Sequence, residues 1–126
     1  MALTIANECR KAALDGITAL LASGKFVLQS AGPVERATLT LPASWGAAST
    51  SSPSTATATG ITADSSVTPG TITLFQLQTS GSAVRINGTV GVGSGDLQVT
   101  DNVIPVGATE VSCTGGLTLS LQLTSV

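Results

Sequence analysis

Seven carboxylates, Glu8, Asp15, Glu35, Asp64, Asp96, Asp101 and Glu110, are the groups of this chain best suited to acid–base or metal chemistry. Asp96 and Asp101 are the pair most able to meet, across a turn, where they would hold a cation or share a proton. Aspartates in such loops more often accept hydrogen bonds from their own backbone. The chain has no histidine and no tyrosine. That removes the commonest general base, the commonest zinc ligand, and any Ser-His-Asp or Cys-His nucleophile. The segment GVGSGD at 91–96 has the composition of a phosphate cradle. It lacks the GxGxxG spacing, the following helix and the lysine of a P-loop, and reads as a flexible hairpin loop. Asn87-Gly88-Thr89 is a formal glycosylation acceptor. Without a secretion signal it reads as a turn or bulge, with Gly88 supplying an unusual backbone angle. Trp45, the single tryptophan, is either a sugar-stacking or interface platform or, more in keeping with the usual burial of Trp, a core plug. Cys9 and Cys113 lie far apart with no CxxC spacing; two buried thiols are expected rather than redox or zinc chemistry. The expectation is therefore no catalytic, cofactor-binding or metal-binding residue, no cofactor, and no enzyme.

The composition points the same way. Charged residues make up 10% of the 126-residue chain, against roughly 25% in ordinary soluble proteins. Thr, Ser and Gly supply the polar surface instead, a mixture that favours strands and turns. The net charge of −2 and the absence of a basic patch with interleaved aromatics give no footprint for nucleic acid or an anionic membrane. No segment is apolar for long enough to span a bilayer. Glu8, Arg10, Lys11 and Asp15 interrupt what would otherwise be the apolar core of a signal peptide, so secretion by that route is not expected. A surface so poor in charge suits a protein packed among other subunits or exposed outside a cell.

Any such surface must be carried by a helix followed by strands. Leu3, Ala6, Ala13, Ile17, Leu20 and Leu21 recur at three- and four-residue spacing and predict an amphipathic helix over residues 4–22. Thr4 is its expected N-cap, and Gly24 the left-handed residue that ends it. Gly16, mid-helix, would let another backbone approach. The stripe packs either on the chain's own sheet or in a groove of a neighbour.

Beyond Gly24 the pattern is strand and turn. KFVLQSA is a first strand, turned by Gly32-Pro33. ERATLTLP follows, with Ala37, Leu39 and Leu41 inward, Thr38 and Thr40 outward, and Pro42 as its stop. TATATGIT is a weak strand. TITLFQLQTSGSAVRINGTVGVG is a hairpin turning at Ser80-Gly81, with Val84, Ile86 and Val90 returning inward. Ile72 and Leu74 fall on one face of its first strand, Phe75 and Leu77 on the other, so a bulge shifts the register or both faces are covered. DLQVTDNVIPVGATEVSC adds one or two strands. GGLTLSLQLTSV closes the sheet, with Leu117, Leu119, Leu121 and Leu123 alternating with polar residues as a half-buried strand. The expected fold is mainly β: a helix unit over 1–24, then over 25–126 an antiparallel β-sandwich or flattened barrel of about seven or eight short strands.

The order of these pieces resembles a family of small structural proteins encoded among the head and tail genes of tailed bacteriophages. The resemblance covers nearly the whole chain. Its most specific parts are LTLPASWGAAS, where the family pattern often has Phe in place of Trp45, GITADSS at 60–66, and GTVG at 88–91. It implies a virion component, assembled in the host cytoplasm, whose partners are the major capsid protein or other virion proteins and further copies of itself. Within that class a capsid decoration or cement protein is expected first. A tail, baseplate or fibre-attachment protein in contact with host-surface glycans is the alternative.

Overall fold

The computed structural model describes residues 5–122. One helix, α1 (Asn7–Leu20), precedes nine strands: β1 (Lys25–Ser30), β2 (Val34–Thr40), β3 (Ser54–Ala58), β4 (Gly70–Thr71), β5 (Leu74–Gln78), β6 (Val84–Val92), β7 (Leu97–Val99), β8 (Val103–Ile104) and β9 (Leu117–Leu121). The fold is mainly β with an N-terminal helix, as the sequence implies. Five strands form a sheet in the order β2-β1-β5-β6-β7, and the pairs β3-β9 and β4-β8 form two small sheets. No barrel closes among the described residues.

All three sheets feed one core. Phe26, Ala37, Leu39, Phe75, Leu77 and Val90 come from the large sheet, Ala58 and Leu117 from β3-β9, and Ile104 from β8. Phe26 and Phe75 meet edge to face, their centroids 6.3 Å apart. The β2 alternation is as expected, with Ala37, Leu39 and Leu41 buried. The conflict around Ile72 is resolved by a break in the chain path. β4 ends at Thr71 and β5 starts at Leu74, so Ile72 turns into the same core as Phe75 and Leu77. Val84 departs from expectation: it is 42% exposed. A register shift where Leu77 faces Ile86 and Gln78 faces Val84 carries that end of β6 off the core. One pair is not antiparallel, since β6 and β7 run parallel through Val90↔Leu97 and Val92↔Val99.

The buried face of the helix overlaps the expected stripe only in part: Ile17 and Leu21 pack on the core as expected. Arg10, Leu14 and Thr18 are its buried residues, and Leu21 follows them into the core. Ala6 and Ala13 are exposed, and Leu20 is 56% exposed. The polar residues on the inner face make hydrogen bonds there. Arg10 donates to Ile5 O and Asn7 Oδ1, both at 2.8 Å, and Thr18 Oγ1 donates to Asp15 O at 3.2 Å. Leu14 packs with Ala48 and Ala56, so α1 lies on its own β-domain through β3. The N-cap is Ala6, without a side-chain cap bond. The expected cap Thr4, with Leu3 and Leu123, lies outside the described residues.

Both glycines of the helix region play other parts than expected. The left-handed residue after α1 is Ser23, at φ 53°, and not Gly24. Gly24 is instead the point of close backbone approach: a Cβ there would stand 2.1 Å from Gln78 O. Gly16 has nothing within 4 Å of such a Cβ. The closing strand also pairs differently. Among the described residues β9 joins β3 alone, rather than lying within the larger sheet. Its alternation holds, with Leu117 buried, Leu119 and Leu121 half-buried, and Thr118 and Ser120 exposed.

Candidate interaction surfaces

Five of the seven carboxylates, Asp15, Glu35, Asp64, Asp96 and Asp101, are engaged by their own chain. Asp15 Oδ2 accepts from Lys11 Nζ at 2.6 Å, and its Oδ1 accepts from Ala48 N at 2.8 Å. The Lys11 bond and then the Ala48 amide hold the Asp15 carboxyl below the ordinary carboxylate value. This one side chain ties the helix to the loop carrying Trp45. Asp64 accepts from Thr38 N at 2.7 Å and Ser66 N at 2.8 Å, pinning the 60s loop to β2. Asp101 accepts from Val103 N at 2.9 Å. Glu35 accepts from the Thr38 hydroxyl.

Asp96 accepts from Thr89 N at 3.0 Å and Thr89 Oγ1 at 3.1 Å, and its own amide donates back to Thr89 Oγ1. The Thr89 amide, then the hydroxyl, lowers its pKa. Asp96 and Asp101 thus serve separate backbone turns. Among the described residues no group of three or more Cys, Asp or Glu side chains is placed to hold a metal ion.

The Gly-rich segment is not a hairpin loop. Because β7 runs parallel to β6, residues 93–96 carry the chain back over Thr89, with Gly93 and Gly95 at φ 70° and 87°. The Thr89 amide that an anion would use is already taken by the Asp96 carboxylate. Asn87 lies in mid-strand on β6, opposite Gln76, not in a turn. Gly88 beside it provides space and no unusual angle: a Cβ there would stand 2.8 Å from both the Phe75 ring and Asp96 Oδ2.

Trp45 is half-buried, packed on the main core on one side. On the other it lines a depression of about 320 Å³ with Asp15, Thr18, Ala19 and Ala22. Its Nε1 is buried and has no partner among the described residues. Plug and platform are therefore two sides of one ring. Further depressions lie elsewhere on the surface. One of about 340 Å³ lies beside Gln29, Phe75 and Asn87, and one of about 390 Å³ beside Phe26, Val99, Cys113 and Leu117.

Both cysteines are free. Cys9 is exposed, contrary to expectation, because it lies off the Arg10–Leu14–Thr18 face. Cys113 is partly buried, its Sγ 3.4 Å from Gly116 O, and burial pushes its thiol pKa up. Sequence reasoning missed the Asp15–Ala48 tie and the inward Arg10. The i,i+4 spacing of Lys11 and Asp15 was a signal for half of the first. Comparison of the chain with protein-family models, with curated proteins and with solved structures finds no match.

Proposed function

We propose that this protein is a structural component of a tailed-bacteriophage virion, a decoration or cement protein that stabilises the head shell by clamping neighbouring major capsid subunits. The observation that carries the reading is what its charges do. Asp15, Asp64, Asp96 and Asp101 each accept a backbone N–H of their own chain. Acidic groups committed to internal hydrogen bonds leave a Thr- and Ser-rich surface of low charge. Such a surface adheres through many small contacts repeated by symmetry. The resemblance carried by LTLPASWGAAS, GITADSS and GTVG supports the same assignment.

Cryo-electron microscopy of purified particles, with copy number measured in the same preparation, tests it. Copies on the shell numbering roughly in the hundreds support a decoration role. Absence from particles overturns it. A second reading, a tail or fibre-attachment component contacting host glycans, draws support from Trp45, whose ring lines an open depression. It predicts only a few dozen copies, roughly, at the tail, and glycan-array binding abolished by Trp45→Ala.

A further inference from the structure

The outer edge of β9 has no cover among the described residues. β9 pairs with β3 in the register Ser54↔Leu121, Ala56↔Leu119 and Ala58↔Leu117. The opposite edge of β3 shows which main-chain groups point where. Thr55 O accepts from Ser49 N at 2.9 Å, Thr57 O accepts from Gly46 N at 3.2 Å, and Thr55 N donates to Ser49 Oγ at 2.9 Å. Thr55 and Thr57 therefore direct their backbone groups away from β9, and Ser54, Ala56 and Ala58 direct theirs toward it. On β9 the groups of Leu117, Leu119 and Leu121 face β3, so those of Thr118 and Ser120 face outward. Among the described residues nothing bonds to them.

The 46–49 segment lies along β3, and Thr62, Asp64 and Thr68 line β2. Strand edges left open are ordinarily blunted by lysine, proline or a bulge. β9 has none of these: its register with β3 is unbroken, and no charged residue follows Glu110 or lies between Arg36 and Asp64.

We propose that this edge pairs with the same edge of a second copy of the chain, antiparallel about a twofold axis at Leu119, joining two β3-β9 ribbons into one sheet. The strand's own pattern selects this occupant. LTLSL has the same order of apolar and hydroxyl residues in both directions. A twofold at Leu119 sets Leu117 opposite the second copy's Leu121, Leu119 opposite its own equivalent, and Thr118 opposite the second copy's Ser120. Opposed residues share a face, so leucines meet leucines and hydroxyls meet hydroxyls. The main-chain geometry agrees. Thr118 and Ser120, whose groups point outward, form the hydrogen-bonded pairs, and Leu119 forms the close pair between them. Leu119 and Leu121, half-buried at the rim of the Leu14–Ala48–Ala56 cluster, gain cover from the second copy's leucines. A partner strand bearing charge would find no counter-charge here.

Sedimentation of the full chain across a concentration series, with amide hydrogen exchange on the same samples, tests this. The expected result is a reversible monomer–dimer equilibrium in which the Thr118 and Ser120 amides slow by about tenfold or more as dimer fills. Ser120→Pro deletes an outward N–H and no internal bond. It is expected to weaken the dimer by about tenfold or more while leaving melting unchanged. In a Cys9→Ser background, Leu119→Cys should form an intermolecular disulfide on mild oxidation. A chain that stays monomeric with fast Thr118 and Ser120 exchange overturns the proposal, and so does a dimer indifferent to Ser120→Pro. Should that variant not fold, the wild-type exchange decides. Protection that arises only against a different virion protein also overturns it. The pairing is independent of the virion reading, which fails on absence from particles and not on the state of this edge.

Discussion

Replacing Gly24 by alanine should destabilise the protein severely, although nothing in the backbone angles there forbids a side chain. An added Cβ would stand 2.1 Å from Gln78 O and 2.9 Å from Leu21 O. Both obstacles are main-chain atoms, so neither can swing aside as the end of a flexible side chain would. Restoring ordinary contact requires the end of β5 and the end of α1 to part by about 1 Å. That movement strains Gly24 N→Leu21 O at 3.0 Å, Leu41 N→Gly24 O at 2.9 Å and the Lys25↔Gln78 pairing. Overpacking costs about 1–3 kcal/mol, and loss of one of these bonds adds about 1 kcal/mol. The sum is about 3 kcal/mol, or a fall in Tm of roughly 10 °C for a chain of this length. Gly16→Ala is the opposite case. Its Cβ meets nothing within 4 Å and it lies inside α1, so alanine should stabilise by about 1 kcal/mol and raise Tm by about 3 °C. Thermal melts and urea titrations followed by circular dichroism measure both. A Gly24→Ala protein melting within about 1 °C of wild type, or a destabilised Gly16→Ala protein, would refute the reasoning.

Leu77, fully buried, should lose about 3–4 kcal/mol on truncation to alanine, while Val84→Ala should stay within about 0.5 kcal/mol of wild type in the same urea titration. Leu117→Asp should abolish cooperative unfolding by placing a carboxylate in the core, whereas Gln122→Lys should melt as wild type. Stability should be flat across neutral pH, since no histidine titrates there. Asp15 and Asp96 titrate lower in the folded protein, so their contribution is present above the ordinary value of 3.8 and is lost as pH falls below it. Cys113 titrates higher, so its contribution is present below 9.0 and is lost as pH rises beyond. Urea midpoints measured across the pH range should show both shoulders, with Asp96→Asn shrinking the acid one. Deleting residues 1–22 should give an aggregating chain rather than a folded β-domain, by light scattering, because Leu14 and Leu21 leave the core with the helix.

The β class, the helix ahead of it, the inward residues of β2 and the polar–apolar alternation of β9 were legible in the sequence, because each rests on a local period of side chains. A strand with leucine at every second position buries one face wherever it is placed. The acceptor role of a loop aspartate was legible too at Asp101, since it arises within two residues of chain. What the tertiary structure decided lies at contacts between segments distant in sequence. The helix turned Arg10 and Thr18 inward because its register was set by Ala48 and Ala56, from another part of the chain. Gly24 matters because Gln78 O lies against it, which no property of the segment around Gly24 reveals. The parallel return of β7 along β6 depends on Asp96 reaching back to Thr89. The open edge of β9 exists because β3 is its one neighbour among the described residues, and pairing partners are a property of the assembled sheet. Local alternation shows which face of a strand is buried; only packing shows which edge is left free.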